Sequence, residues 1–374
     1  MAQNNTKNLA QDFSLALFKK MLIIIYMNLL HGVGDFFSLD IGTNSMRIVQ
    51  LSGSVNHGWT LQKYAYVPID QKLTQDASDL GKKRLGEAIL GAVNQAGIKV
   101  KNVAIGLPAG KTFTSIVETE TLPEKELKKS FKYEIDKYVP MSMSDAKADY
   151  VVLGPSPNDP AKTEVLVSSI AKDYAESTME MIEKTGLNII AMEPEPLAMA
   201  RALQIPGAMD ATMIVDFGEK STDLVITYKK QPRLVRSIPG GFGVLVKSVA
   251  GSLNVRENQA RQFILKFGLA EDKVEGQVFK VLNGLLDNYA AELAKSVRFF
   301  QTKYINGKVG GIVLSGYAGM IPLFPEYIEA KTRVSTMKGN PWQSVRTTNA
   351  QQRALINVAS EFAVAIGLSE RSND

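Results

Sequence analysis

Alternation of apolar and polar positions organises the chain from residue 36 onward. Phe37, Leu39 and Ile41 fall on one face of a short run that Gly42-Thr43-Asn44-Ser45 interrupts, and strand character resumes at Met46-Arg47-Ile48-Val49. A further strand is expected over Trp59–Val67. Period-3.6 spacing of Leu85, Ile89 and Val93 then predicts a helix over 80–95, with Gly97 as its stop. Strands follow at 102–108 and 113–122. Thr121-Leu-Pro-Glu124 reads as a capping box opening a helix that carries Leu127, Phe131 and Ile135 on one face. These three are expected in a core, and the lysines between them on a solvated face. Strands at 150–153 and 165–170 flank a Pro-rich turn. A helix over 174–184 turns Ala175, Met179 and Ile182 inward, a short strand covers 188–192, and Glu193–Arg201 reads as a loop entering a helix.

The pattern then starts again. Thr212–Tyr228 repeats the opening plan of apolar strand, Asp-x-Gly, small polar turn and apolar strand. A third strand (233–238) leads to Pro239-Gly240-Gly241, helices are expected at 244–266 and 277–303, and Gly311–Pro322 reads as strand, glycine turn and helix start. A last helix is expected over 354–368. The pattern describes two similar α/β halves with a cleft between them.

Composition narrows the chemistry. With no cysteine, disulfides, thiolate metal sites and cysteine nucleophiles are excluded. With only His31 and His57, histidine-based metal or triad chemistry is disfavoured. A net charge of +5, spread along the chain, does not argue for nucleic acid. No window of 18 apolar residues occurs. The apolar run Met21–Leu30, preceded by Lys19-Lys20, suits a membrane-surface or partner-binding helix over about 13–30; alternatively Met21 or Met27 is the true start.

Two Asp-x-Gly hairpins, at Asp40 and Asp216, carry the strongest chemical signal. Glycine lets backbone N–H groups approach a ligand, short polar side chains add donors, and an Asp can hold a hydrated Mg²⁺. One such turn is weak evidence; a pair, one in each half, can grip a polyphosphate from both sides. Neither a Walker-type loop nor a Rossmann glycine fingerprint occurs.

These motifs resemble the actin-like ATPase superfamily. Asp40-Ile-Gly-Thr-Asn-Ser is similar to its first phosphate loop, Asp216-Phe-Gly-Glu-Lys-Ser-Thr-Asp to its second, and Val313-Leu-Ser-Gly-Tyr-Ala-Gly to its adenosine segment. Glu195–Arg201 and Ala363–Leu368 resemble the helices joining its lobes. Val103–Pro108, Tyr133–Pro140, Glu195–Arg201 and Arg236–Gly241 narrow the resemblance to the type IV pilus assembly PilM family, over about residues 27–368. The resemblance implies an α/β, actin-like two-lobed fold of duplicated ribonuclease H-like domains with an FtsA-like extra subdomain. Lobe I would span 35–205, the subdomain about 109–163, lobe II 206–340, and 341–374 would return to lobe I, with 1–34 as an extension.

ATP and Mg²⁺ are the implied ligands. The implied nucleotide-binding residues are Asp40, Gly42, Thr43, Asn44, Ser45 and Arg47 in the first hairpin and Asp216, Gly218, Lys220, Ser221 and Thr222 in the second. Gly240, Gly241, Gly316 and Tyr317 complete the set, and Asp40 and Asp216 would hold Mg²⁺ through water. Glu195 lies where related chaperones place a carboxylate near the attacking water, or it is simply an acid favoured by the helix dipole. Arg47 stands where lysine is usual, and Tyr317 and Ala318 where a glycine run is usual; a tyrosine there would either stack on adenine or obstruct it. The implied partner is the N-terminal cytoplasmic peptide of a PilN-like membrane protein, with pilus motor ATPases and self-association as further possibilities. The implied place is the inner face of the cytoplasmic membrane. Met27-Asn28-Leu29-Leu30 also resembles the start of such a peptide, which raises occupation of the chain's own groove. An FtsA-like filament former and a small-molecule kinase are the alternatives; a kinase would need an acceptor pocket with a general base. A chaperone is disfavoured as an expectation, because the residues after Leu368 are a short polar stretch.

Overall fold

The computed structural model describes residues 34–371 except 55–56, 206–207 and 209. The apolar N-terminal run and its suggested roles lie outside the described residues. Among those described, no helix is long and apolar enough to cross a membrane.

The opening alternation forms an antiparallel meander of β1 (Phe36–Ile41), β2 (Ser45–Ser54) and β3 (Gly58–Pro68). The helix Asp79–Gln95 crosses back and delivers β4 (Asn102–Leu107) parallel to β1. It buries Leu85, Ile89 and Val93 as their spacing predicts, starts at a Ser78 side-chain cap, and stops before Gly97, whose φ is +69°. The chain then makes a separate antiparallel sheet of β5 (Thr112–Glu120), β6 (Ala146–Pro155) and β7 (Lys162–Ala171), with β7 central. The helix Lys172–Glu183 returns it to β8 (Asn188–Pro194), parallel to β4.

The second half repeats the first. β9 (Ala211–Phe217), β10 (Ser221–Tyr228) and β11 (Gln231–Pro239) form the meander, and β12 (Val309–Gly316) and β13 (Thr336–Lys338) add in parallel. The first sheet runs β14-β3-β2-β1-β4-β8, with β14 being Val345–Arg346 at its edge, and the second runs β11-β10-β9-β12-β13. Setting β14 aside, strand order and direction are the same in both, so the repeat read from two hairpins extends through five strands.

The two halves meet on small residues. Gly367 of the helix Ala363–Ser369 lies directly on the backbone of Ala198 in the helix Glu195–Ala202, and a Cβ there would overlap it. These helices bury Met199, Leu203, Val364 and Leu368 against Ile214, Val225 and Val313 of the second sheet. Behind them Glu193, fully buried, pairs with Arg201 at 2.6 Å and with Arg371 at 2.6 Å.

The small sheet has two covered faces. Leu127, Phe131 and Ile135 pack on Val165 and Val167, with the Tyr138 ring stacked on Phe131. On the other face Leu153 and Leu166 meet Leu197 of the interlobe helix, and Ile116, Val151 and Val235 lie against them. Glu164 of β7 there accepts a hydrogen bond from the Tyr304 hydroxyl at 2.6 Å and pairs with Arg233 of β11. The sheet is thus fastened to the second half as well as to the first.

Four expectations need correction. The single helix expected over 244–266 is two, Phe242–Leu253 and Glu257–Phe267, parted at Asn254, whose φ of +50° ends the first. Thr121 does not cap a helix: Pro123 holds the N-cap position, the helix runs Glu124–Glu134 without a side-chain cap, and Thr121 instead hydrogen-bonds Thr163. A proline directly before the first helical residue places Thr121 too far back to reach the open N–H groups. Glu193 and Pro194 are the end of β8, in register with Gly106 and Leu107, rather than a loop. The single helix expected over 354–368 is broken into a helix Asn349–Leu355, a 3-10 turn Ala359–Phe362 and the helix Ala363–Ser369.

Candidate functional site

The two hairpin turns are built alike. In the first, Gly42 N–H donates to the Ser45 carbonyl at 3.0 Å; in the second, Gly218 N–H donates to the Ser221 carbonyl at 3.0 Å. Asp40 and Asp216 are the penultimate residues of β1 and β9, and each faces the residue seven positions later across the hairpin: Arg47 for Asp40, Asp223 for Asp216. One hairpin therefore pairs opposite charges where the other pairs like charges. Each turn is braced from outside. Ile69 N–H donates to Asn44 and the Thr74 hydroxyl to Thr43, while N–H groups of Gly240, Phe242 and Gly243 donate to the carbonyls of Lys220, Gly218 and Glu219. Gly241 is needed for this seating, because a Cβ there would strike Gly218 and Ser221 carbonyl oxygens.

Carboxylates dominate the electrostatics. Burial, then Asp223, pushes Asp216 up to about 7, against the pull of Arg47. Burial raises Glu195 well above the usual carboxylate range, and Asp40, Asp223 and Asp216 all add to it. Asp40 and Asp223 are raised chiefly by burial; Arg47 opposes this at Asp40, and the Ser237 and Ser221 hydroxyls oppose it at Asp223. Oδ1 of Asp223 is buried with no hydrogen-bond partner. Glu195 reaches the cluster from the first residue of its helix, lying against Gly106, where a Cβ would meet its Cγ at 3.1 Å.

Arg47 is a largely buried cation beside this cluster. It meets Asp40 at 3.2 Å and also pairs with Glu361, while Tyr66 donates to Glu361 at 3.1 Å. Burial works against its charge, but Asp40 and Glu361 outweigh it and hold the guanidinium protonated. On the far side Gly316, at φ +62°, packs against the Asp216 carboxylate. Tyr317 follows, with its ring stacked on Phe242 at 4.1 Å. Arg261 spans both rings, bonded to Glu219 at 2.6 and 3.0 Å and to the Tyr317 hydroxyl at 3.3 Å.

A family model for the type IV pilus assembly protein PilM matches residues 38–373. The chain belongs to the PilM family. A PilM–PilN type IV pilus biogenesis complex has a chain of the same fold, with a TM-score of 0.76 at 20% identity, covering 91% of this chain and 99% of that one. The ethanolamine utilization protein EutJ of Carboxydothermus hydrogenoformans shares the fold more loosely: TM-score 0.53, 14% identity, 90% of this chain and 89% of that one. The cell division protein FtsA of Enterococcus faecalis is 22% identical over 265 residues, 63% of this chain. The chain spans 58% of that relative's length. The fold is the actin-like one.

In this PilM-family chain the hairpin residues singled out from sequence come together with Glu195 and Gly316. Lys220 is exposed. Gly240 and the first turn of the helix Phe242–Leu253 spend N–H groups on the second hairpin, so they brace it. Sequence reasoning placed Glu219 and Asp223 in the second loop without giving either a role, and it missed Glu361 and Arg261. Aligning the two hairpins on their aspartates would have singled out Asp223, because it holds the place of Arg47. Glu361 gave no local signal: it reaches the site only through the fold.

Proposed function

We propose that this PilM-family chain is an ATP-binding scaffold of type IV pilus assembly that engages the N-terminal tail of a PilN-like membrane protein at the inner face of the cytoplasmic membrane. The observation that carries the nucleotide reading is the pair of matched hairpin turns beside one largely buried carboxylate cluster. The donor set suits Mg²⁺, a hard cation that prefers oxygen and keeps several waters. A cation would relieve the mutual repulsion of Asp40, Asp216, Asp223 and Glu195 and give Asp223 Oδ1 a partner. Among the described residues no three such groups converge to ligate an ion directly, so Asp40 and Asp216 would hold it through water. Held there, Mg²⁺ would supply neutralisation of phosphate charge.

The chain's own residues supply the rest. Gly42–Ser45 and Gly218–Thr222 present short turns to the phosphates, Arg47 adds charge, and Tyr317 with Arg261 forms an aromatic and cationic wall beside Gly316. Glu195 is the candidate for orienting an attacking water. In this reading lobe I is 35–205 with 341–374, lobe II is 206–340, and the small sheet is the partner-binding subdomain. Its attachment to both halves through Glu164 and Leu197 gives cleft closure a route to the partner. The family match and the shared fold of a chain from a PilM–PilN complex support the PilN-type tail as that partner.

A fluorescent peptide copying the cytoplasmic tail of the PilN-type protein should bind the intact chain saturably by anisotropy. A scrambled tail should not. Equal binding of both peptides, or of neither, would remove the scaffold reading.

A further inference from the structure

The break in the last helix places two adjacent side chains on opposite sides of the cleft. Ser360 faces the second lobe: its hydroxyl donates to the Gly316 carbonyl at 3.2 Å, and its own carbonyl accepts from the Ser315 hydroxyl at 2.9 Å. Glu361 faces the first lobe, where Arg47 and Tyr66 hold both of its oxygens. Gly316 packs on Asp216 and Arg47 pairs with Asp40, so this dipeptide touches both hairpin systems.

The guanidinium of Arg47 lies directly beneath the first turn, 2.5 Å from where a Gly42 Cβ would stand. It is already shared between two carboxylates, and its Nε is buried without a partner. A phosphate arriving at that turn must compete for it. Asp40 cannot be the group that yields, because it is paired with Arg47 across the β1–β2 ladder and is carried with it. Glu361 sits on a separate 3-10 turn between two helices.

We infer that Glu361 is a positioning residue that competes with the phosphate ligand for Arg47, and that its release passes ligand occupancy to segment 359–369 and hence to the interlobe contact. This rests on the nucleotide reading above. Phosphate would displace the Glu361 arm of the guanidinium, the 359–362 turn would lose its hold on lobe I, and Ser360 would keep its hold on lobe II.

Glu361→Gln keeps the volume and the Tyr66 contact but removes the competing charge. Binding of Mg-ATP and of inorganic tripolyphosphate should each tighten about tenfold, the scale of one charge-assisted hydrogen bond. Hydrogen exchange over 355–369 should change on adding Mg-ATP in the wild type and stay flat in Glu361→Gln. A merely structural glutamate would weaken binding when replaced, so the sign decides. Wild-type binding with equal or weaker binding by Glu361→Gln overturns the inference while leaving the nucleotide reading intact. A wild type that binds neither probe removes both. If Glu361→Gln does not fold, Tyr66→Phe replaces it: loosened Glu361 should again tighten binding, and unchanged or weaker binding overturns the inference.

Discussion

Replacing Asp216 with asparagine should make the ligand-free protein more stable at neutral pH while weakening Mg-ATP binding by roughly 100-fold or more, about 2.7 kcal/mol. The two effects have one cause. Asp216 is a partly buried acid beside Asp223, and in the folded chain its pKa of about 7 lies above the ordinary aspartate value of 3.8. A raised acid favours the folded chain only while protonated. Its contribution is therefore complete below 3.8 and is lost as pH climbs to about 7. A difference of one pKa unit between folded and unfolded chains is worth about 1.4 kcal/mol, so the total is on the order of a few kcal/mol. Asp216→Asn should flatten that part of the stability profile, measured by urea unfolding at several pH values. A bound cation wants the ionised form, so wild-type affinity for Mg-ATP should rise with pH through about 7. A variant that loses both stability and binding would indicate a structural aspartate. One that keeps its affinity would remove Asp216 from the site.

Glu164→Ala should be the most damaging single change away from the cleft, costing about 3–5 kcal/mol in urea unfolding. Glu164 is fully buried, and its removal leaves Arg233, only 4% exposed, and the Tyr304 hydroxyl without their shared acceptor. The penalty comes from stranding a buried charge, so replacing the group as a whole by Glu164→Leu, Arg233→Met and Tyr304→Phe should recover most of the loss. The triple variant should remain folded yet hold the small sheet to the second lobe by apolar contact alone. A Glu164→Ala protein within about 1 kcal/mol of wild type would show that water reaches this junction.

Much of this architecture was legible because it is local. Strand alternation placed β1 to β4 and β9 to β12, and the Leu85, Ile89 and Val93 spacing fixed the face of a long helix. The repeat of Asp-x-Gly turns exposed the duplication before any strand order was known. What escaped was set by contacts distant in sequence. The two short edge strands β13 and β14 hold five residues between them, too few to show a period. The last helix reads as continuous by composition, yet Ala359–Phe362 tightens into a 3-10 turn whose Ser360 and Glu361 bond residues far away in the sequence. Glu361 illustrates the limit: nothing around it distinguishes it from a surface acid, and only the returning chain sets it beside Arg47. The tyrosine in the adenosine segment left stacking and obstruction both open from sequence. In the fold one face of the ring is already stacked on Phe242.

The most direct test is calorimetric titration of Mg-ATP into the intact chain. A scaffold with opposed hairpins should bind one nucleotide per chain, with affinity lost in Asp216→Ala and much reduced when Mg²⁺ is withheld. No heat of binding at millimolar Mg-ATP, or an isotherm unchanged by Asp216→Ala, would contradict the account.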